Sequence, residues 1–139
     1  MTTINVIESK LKAIDEYYSQ LLGYRKHSQK DLEGDATLKG ALERYLYLLC
    51  QSAIDLGEAV IALKDFYRPG SYAEIFETLK EKEVISLELA QKMIRMTGFR
   101  NSIIHDYQKF DFAIAYEVLM SGIDDIKKFE SIIKKYLNL

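Results

Sequence analysis

The stretch Leu38–Leu63, LKGALERYLYLLCQSAIDLGEAVIAL, decides the fold. Leu38, Leu42, Tyr45, Leu49, Ala53, Leu56, Val60 and Leu63 recur in steps of three and four, so they line one side of an α-helix. Tyr47, Ile54 and Ile61 add a second stripe, seven residues apart. A helix that is apolar on two sides is either central in its own bundle or shared with a second chain. Both readings stand at this level, and the second makes a homodimer an open possibility.

The same period extends in both directions. Ile4, Ile7, Leu11, Ile14, Tyr18 and Leu21 predict a first helix, and the polar stretch from Gly23 to Gly34 interrupts it before Asp35 or Thr37 caps the long one. Arg68-Pro69-Gly70 is expected to end the long helix, because proline cannot continue the hydrogen-bond ladder. Ser71 and Glu74 form a capping-box pattern that opens a short helix with Tyr72, Ile75, Phe76 and Leu79 inward. Ser86 begins another, carrying Leu89, Ala90, Met93 and Ile94. Gly98 is expected to weaken its continuation, leaving the residues that follow at a kink or a helix start. Asp111 caps a long final helix with Phe112, Ala115, Leu119, Ile123, Ile126, Phe129, Ile133 and Leu137 on one side. No strand alternation competes. The expectation is all-α: a single domain over residues 1–139, folded as an antiparallel bundle of four to five helices.

Composition narrows the function. The chain has 139 residues, 48% hydrophobic and 29% charged, with a formal net charge of -2. That balance fits a soluble globular domain with a real core. It is not the footprint of a protein that grips nucleic acid nonspecifically, so any RNA contact must be local or assembled between subunits. No apolar run of about 20 residues and no leader pattern is read, so the expected location is cytoplasmic, without a membrane partner. The single Cys50 lies in an apolar helical context and reads as a buried small hydrophobe. One cysteine and two histidines, His27 and His105, are too few for a closed structural zinc site, and no metal or cofactor is expected. His27 sits in Arg25-Lys26-His27-Ser28-Gln29-Lys30, read as a solvated loop with a local basic edge.

The chemistry concentrates in Arg100-Asn101-Ser102-Ile103-Ile104-His105-Asp106-Tyr107. Arginine offers a planar fork suited to phosphate, and histidine exchanges protons near neutral pH. RNA cleavage without metal needs a base for the 2′-hydroxyl proton, a cation for the phosphorane and an acid for the leaving 5′-oxygen. His105 and Arg100 supply the first two, and a second acid can come from the same motif in a symmetry-related copy. Asn101, four residues before His105, shares its helical face and would orient the histidine or a phosphate oxygen. The structural alternative is a buried polar network in which Arg100 pairs with Asp106 or Glu117. Tyr107, one of ten tyrosines, reads on composition alone as packing.

Arg100-Asn101, three residues, then His105-x-Tyr107 resembles the R-N-x-x-x-H-x-Y signature of HepT-like toxins, a branch of the HEPN-domain ribonucleases. Leu49 to Gly57, Ser71 to Phe76 and Gly98-Phe99 are also similar to that family. The resemblance implies a type VII toxin–antitoxin system, in which a homodimeric, metal-independent RNA endonuclease is paired with a minimal nucleotidyltransferase antitoxin. It further implies that Arg100 and His105 carry cleavage, that Asn101 supports them, and that Tyr107 receives AMP. Added bulk and negative charge two residues from His105 would repel RNA phosphate. The competing reading is a noncatalytic helical module that binds a nucleotidyltransferase or a nucleotide, with Arg100 and His105 as contacts.

Overall fold

The computed structural model describes residues 2–105 and 110–139. Among the described residues, seven α-helices run in the order α1 (Thr3–Tyr24), α2 (Gln29–Gly34), α3 (Ala36–Leu63), α4 (Tyr72–Glu81), α5 (Leu87–His105), α6 (Phe112–Glu117) and α7 (Ile123–Leu137), with a π-helical turn, Val118–Gly122, joining the last two. No strand occurs among the described residues. The expected all-α architecture is therefore present. The predicted final helix is α6, the π turn and α7 in continuous succession, and α2 lies inside the stretch read as polar loop.

The caps explain where the helices begin. Asp35 Oδ1 accepts from the backbone N–H groups of Thr37 and Leu38, at 3.0 and 3.1 Å. Ser86 Oγ caps α5 through Leu89 N–H, and Asp111 Oδ1 caps α6 through Ala113 N–H. Ser71 Oγ accepts from Glu74 N–H, but the Glu74 carboxylate reaches past it to Gly70 N–H at 2.6 Å. The capping box is thus stretched by one residue, and it fixes the loop that enters α4.

The stop of α3 is not at Pro69. Leu63 ends the helix, Asp65 takes a left-handed φ of 55°, and Phe66 N–H bonds back to Ile61 C=O at 3.0 Å. This six-to-one closure satisfies the helix's last carbonyls and turns Phe66 onto the core. The left-handed Glu83, with Val84 N–H on Leu79 C=O, ends α4 in the same way.

Helix α3 is the centre of the molecule, packing against α1, α2, α4, α5 and α7. Its two apolar sides are both used internally. Ile54 is fully buried and Ile61 is 3% exposed, while Tyr47 is half-buried. Ile54 and Ile61 therefore belong to the monomer core and lend no support to a dimer, whereas Tyr47 lies at its edge. Length and composition alone would let α3 cross a membrane, contrary to the expected absence of such a run. Most of that apolar window is instead covered by neighbouring helices. Gly57 is required where α4 crosses α3: a Cβ there would lie 2.7 Å from Ile75 Cγ2. Phe76 then meets Phe129 of α7 edge-on, with centroids 5.5 Å apart.

The π turn has a specific support. Widening the helix frees backbone carbonyls, and Arg25, at the end of α1, donates Nε to Leu119 C=O at 2.8 Å while its Nη2 pairs with Asp124. Arg25 is thus a structural residue, and the basic edge read around His27 loses one of its members.

Candidate functional site

Helix α5 runs unbroken through Gly98 to His105, so the described part of the motif, Arg100 to His105, lies within the helix rather than at a kink or a helix start. A Cβ at Gly98 would meet nothing within 4 Å, so this glycine is not required by close packing. Its intrinsic cost of about 1 kcal/mol relative to alanine is overridden by buried Met93, Met96, Thr97 and Phe99 on the same helix.

Helical geometry then separates the two principal side chains. Five residues correspond to roughly 140° around the axis and about 7.5 Å along it. Arg100 is half-buried and turns onto α3 and α4, whereas Asn101 and His105 are exposed. Ile103 and Ile104 are half-buried between them, as their place in an amphipathic segment predicts.

Arg100 is held on several sides. Its Nε donates to Gln51 Oε1 at 2.8 Å, and its Nη1 donates to Asn101 Oδ1 at 3.0 Å. Its guanidinium carbon lies 5.6 Å from the centroid of the Tyr47 ring and 5.2 Å from that of Tyr72, within cation–π range of both. Gln51 is fixed in turn: its Nε2 donates to Asp55 Oδ1 at 2.8 Å, and Asp55 Oδ2 pairs with Lys10 at 3.3 Å. Arginine can only donate and an ionised carboxylate can only accept, so both neighbours demand the same orientation of the Gln51 amide.

Structure and sequence differ here in two respects. Arg100 takes a neutral amide rather than Glu117, and Asp106, the other acid weighed as its partner, lies outside the described residues. Asn101 offers its carbonyl to Arg100, so the amide oriented by this bond is Asn101's own. Tyr107 also lies outside the described residues.

Gln51, Tyr47 and Tyr72 are the positioning residues that sequence reasoning did not single out. One signal was present: Tyr47, Gln51 and Asp55 stand four residues apart, a partly polar stripe on an otherwise apolar helix. Cys50, adjacent to Gln51, is fully buried, and burial pushes its thiol up to about 12 despite the nearby Arg100 charge. It is no nucleophile at neutral pH.

Among the described residues, no carboxylate pairs with Arg100. The guanidinium is oriented by amides and rings, which aim it without cancelling its charge. Residues 11–133 match the family described as Ribonuclease HepT-like.

This chain belongs to that family.

The relatives of the HepT-like chain carry matching names. The mRNA nuclease HepT of Shewanella oneidensis is 27% identical over 100 residues, covering 72% of this chain and 75% of the relative. The tRNA nuclease HepT of Aphanizomenon flos-aquae is 27% identical over 113 residues, covering 80% and 77%. In three dimensions the chain is similar to a tri-AMPylated HEPN toxin of Shewanella oneidensis, solved in complex with MNT antitoxin. The TM-score is 0.87 at 23% identity, over 97% of this chain and 99% of that one. This likeness establishes that the HepT-like chain shares that protein's fold.

Proposed function

We propose that this chain is the toxin of a toxin–antitoxin pair, a metal-independent RNA endonuclease whose site is completed by a second copy. The observation that carries the proposal is Arg100: a guanidinium held on several sides with no carboxylate pairing it among the described residues, five residues before exposed His105 on the same helix. Family membership and the names of the relatives support RNA as the substrate.

In this reading His105 takes the 2′-hydroxyl proton and Arg100 stabilises the charge that develops on the phosphorane. Asn101 holds Arg100 in register through Nη1. The acid for the 5′-oxygen comes from the same motif in the second copy. A composite site fits the helix geometry, because one α5 presents Arg100 and His105 on different sides. The partner is a minimal nucleotidyltransferase, which silences the toxin by transferring AMP to Tyr107 in the cytoplasm.

Purified protein is expected to cut single-stranded RNA in the presence of chelator. A general acid–base residue contributes about 10²–10⁴-fold, so His105→Ala should cut at a rate lower by that factor. Equal cleavage by both proteins would refute the assignment; loss of all cutting in chelator, restored by a divalent cation, would refute metal independence. After incubation with ATP and the nucleotidyltransferase, intact mass should rise by AMP units, and Tyr107→Phe should stop the rise. A noncatalytic module that only binds the nucleotidyltransferase predicts binding without RNA loss in either protein.

A further inference from the structure

The ring of Tyr47 carries a guanidinium besides that of Arg100. Arg44, one turn earlier on α3, lies with its guanidinium carbon 5.5 Å from the same ring centroid. Arg44, Tyr47, Arg100 and Tyr72 thus alternate as cation, ring, cation, ring, drawn from α3, α5 and the first residue of α4. Arg44 is exposed, and among the described residues it makes no ion pair.

Among the described residues some cations are drawn into ion pairs, whereas the two guanidiniums on this ring are not. Lys10 pairs with Asp55, Arg25 with Asp124, Lys92 with Asp125, and Lys127 with Asp15. In a chain of net charge -2, two guanidiniums on one ring, neither in an ion pair among the described residues, set two positive charges side by side. The alternation also suits a particular ligand. A single strand of RNA presents phosphates and unstacked bases in turn, and proteins take these with cations and with aromatic or guanidinium planes.

We propose that Arg44 and Tyr47 form a binding subsite for the nucleotide adjoining the phosphate held at Arg100. Arg44 takes that nucleotide's phosphate or covers its base, and Tyr47 supplies the stacking surface. The inference rests on the nuclease reading and adds where the strand runs: from Arg100 along α3 towards its N-terminus. Stacking is tolerant of base identity, so the subsite selects single strands over duplexes rather than one sequence.

The test measures binding of a fluorescent, mixed-sequence single-stranded RNA to full-length protein carrying His105→Ala, so that the probe stays intact. In that background Arg44→Ala should weaken binding about tenfold, the lower part of the range for one stacking contact. It should also flatten the dependence of log affinity on log salt by about 0.7, the value for one phosphate contact on a single strand. Tyr47→Leu should weaken binding similarly and Tyr47→Phe should retain it. Lys128→Ala, an exposed cation on α7, is the control and should bind as the parent does. Because Arg44 is exposed, its variant should keep the parent's melting temperature, and it decides the matter even if Tyr47→Leu fails to fold.

Unchanged affinity and slope in Arg44→Ala would overturn the subsite, as would an equal loss in Lys128→Ala. The nuclease reading would survive either result as long as Arg100→Ala abolishes cleavage. Wild-type protein that neither cuts nor binds RNA would overturn both.

Discussion

Two polar networks tie the helices of this protein together, and they handle charge in opposite ways. Between α1 and α7, Asp15, Lys127, Glu130 and Lys134 pair cation with carboxylate throughout. Between α3 and α5, the pairing stops one residue short: Lys10 neutralises Asp55, Asp55 orients Gln51, and the neutral amide then meets Arg100. The first arrangement consumes its charges in holding two helices together. The second delivers a positioned cation with its charge intact. Gln51 is the residue that allows this, because an amide can accept from Arg100 and donate to Asp55 at once without adding a charge of its own.

The comparison is broken most directly at Arg100. Arg100→Lys keeps the charge but loses the Nε and Nη1 bonds and the planar face that meets Tyr47 and Tyr72. Cleavage under single-turnover conditions should fall by about 10²-fold or more, the cost of removing one preorganised transition-state donor. Near wild-type rates would mean that point charge suffices and that the positioning shell does nothing for the reaction.

Gln51→Glu sharpens the contrast, because it turns the second network into a copy of the first. The carboxylate can still accept from Arg100 Nε and cancels its charge, while the bond to Asp55 is exchanged for repulsion between two carboxylates. Cleavage should drop by about tenfold, equivalent to about 1.4 kcal/mol of transition-state stabilisation. Full activity in this variant would show that geometry alone matters at Arg100 and would remove the distinction between the two networks.

How much of this could be read from residues alone depends on the range of the interaction. The caps Asp35, Ser71, Ser86 and Asp111 were legible because each acts within three residues. Helix α2 was not, since six residues with one buried side chain, Leu32, show no period. The π turn depends on Arg25 reaching a carbonyl 94 residues away, and no local pattern announces it. Gly98 misled for a different reason: its propensity is local, but the packing that overrides it comes from elsewhere in the fold. The site divides in the same way. Arg100 and His105 stood out by residue type and spacing, whereas the link to Gln51 spans 49 residues and appears only when α3 and α5 are packed.

The smallest expected effect probes the first network, where Glu130 is 1% exposed and its Oε2 lacks a hydrogen-bond partner among the described residues. Burial, reinforced by the neighbouring Asp15 carboxyl, raises the Glu130 pKa against the opposing pull of Lys127. Burial also works to raise Asp15, but the adjacent Glu130 carboxyl and the bonds and charges of Lys127 and Lys134 outweigh that and leave it lowered. A raised folded-state pKa means that the folded chain holds this proton more firmly than the unfolded one. Stability from Glu130 is therefore complete below its unfolded value and is lost as pH rises through the folded value. Asp15 behaves in the reverse sense, contributing above its unfolded value and fading in acid. Glutamine at position 130 can still accept from Lys127 and can donate to Asp15, but it has no proton to lose. The melting temperature of Glu130→Gln relative to wild type should accordingly rise by a few degrees between pH 5 and pH 8. A difference that stays constant or shrinks over that interval would show that Glu130 is held as a carboxylate by Lys127 and Lys134, and that the two networks differ in residue choice but not in how firmly they bind protons.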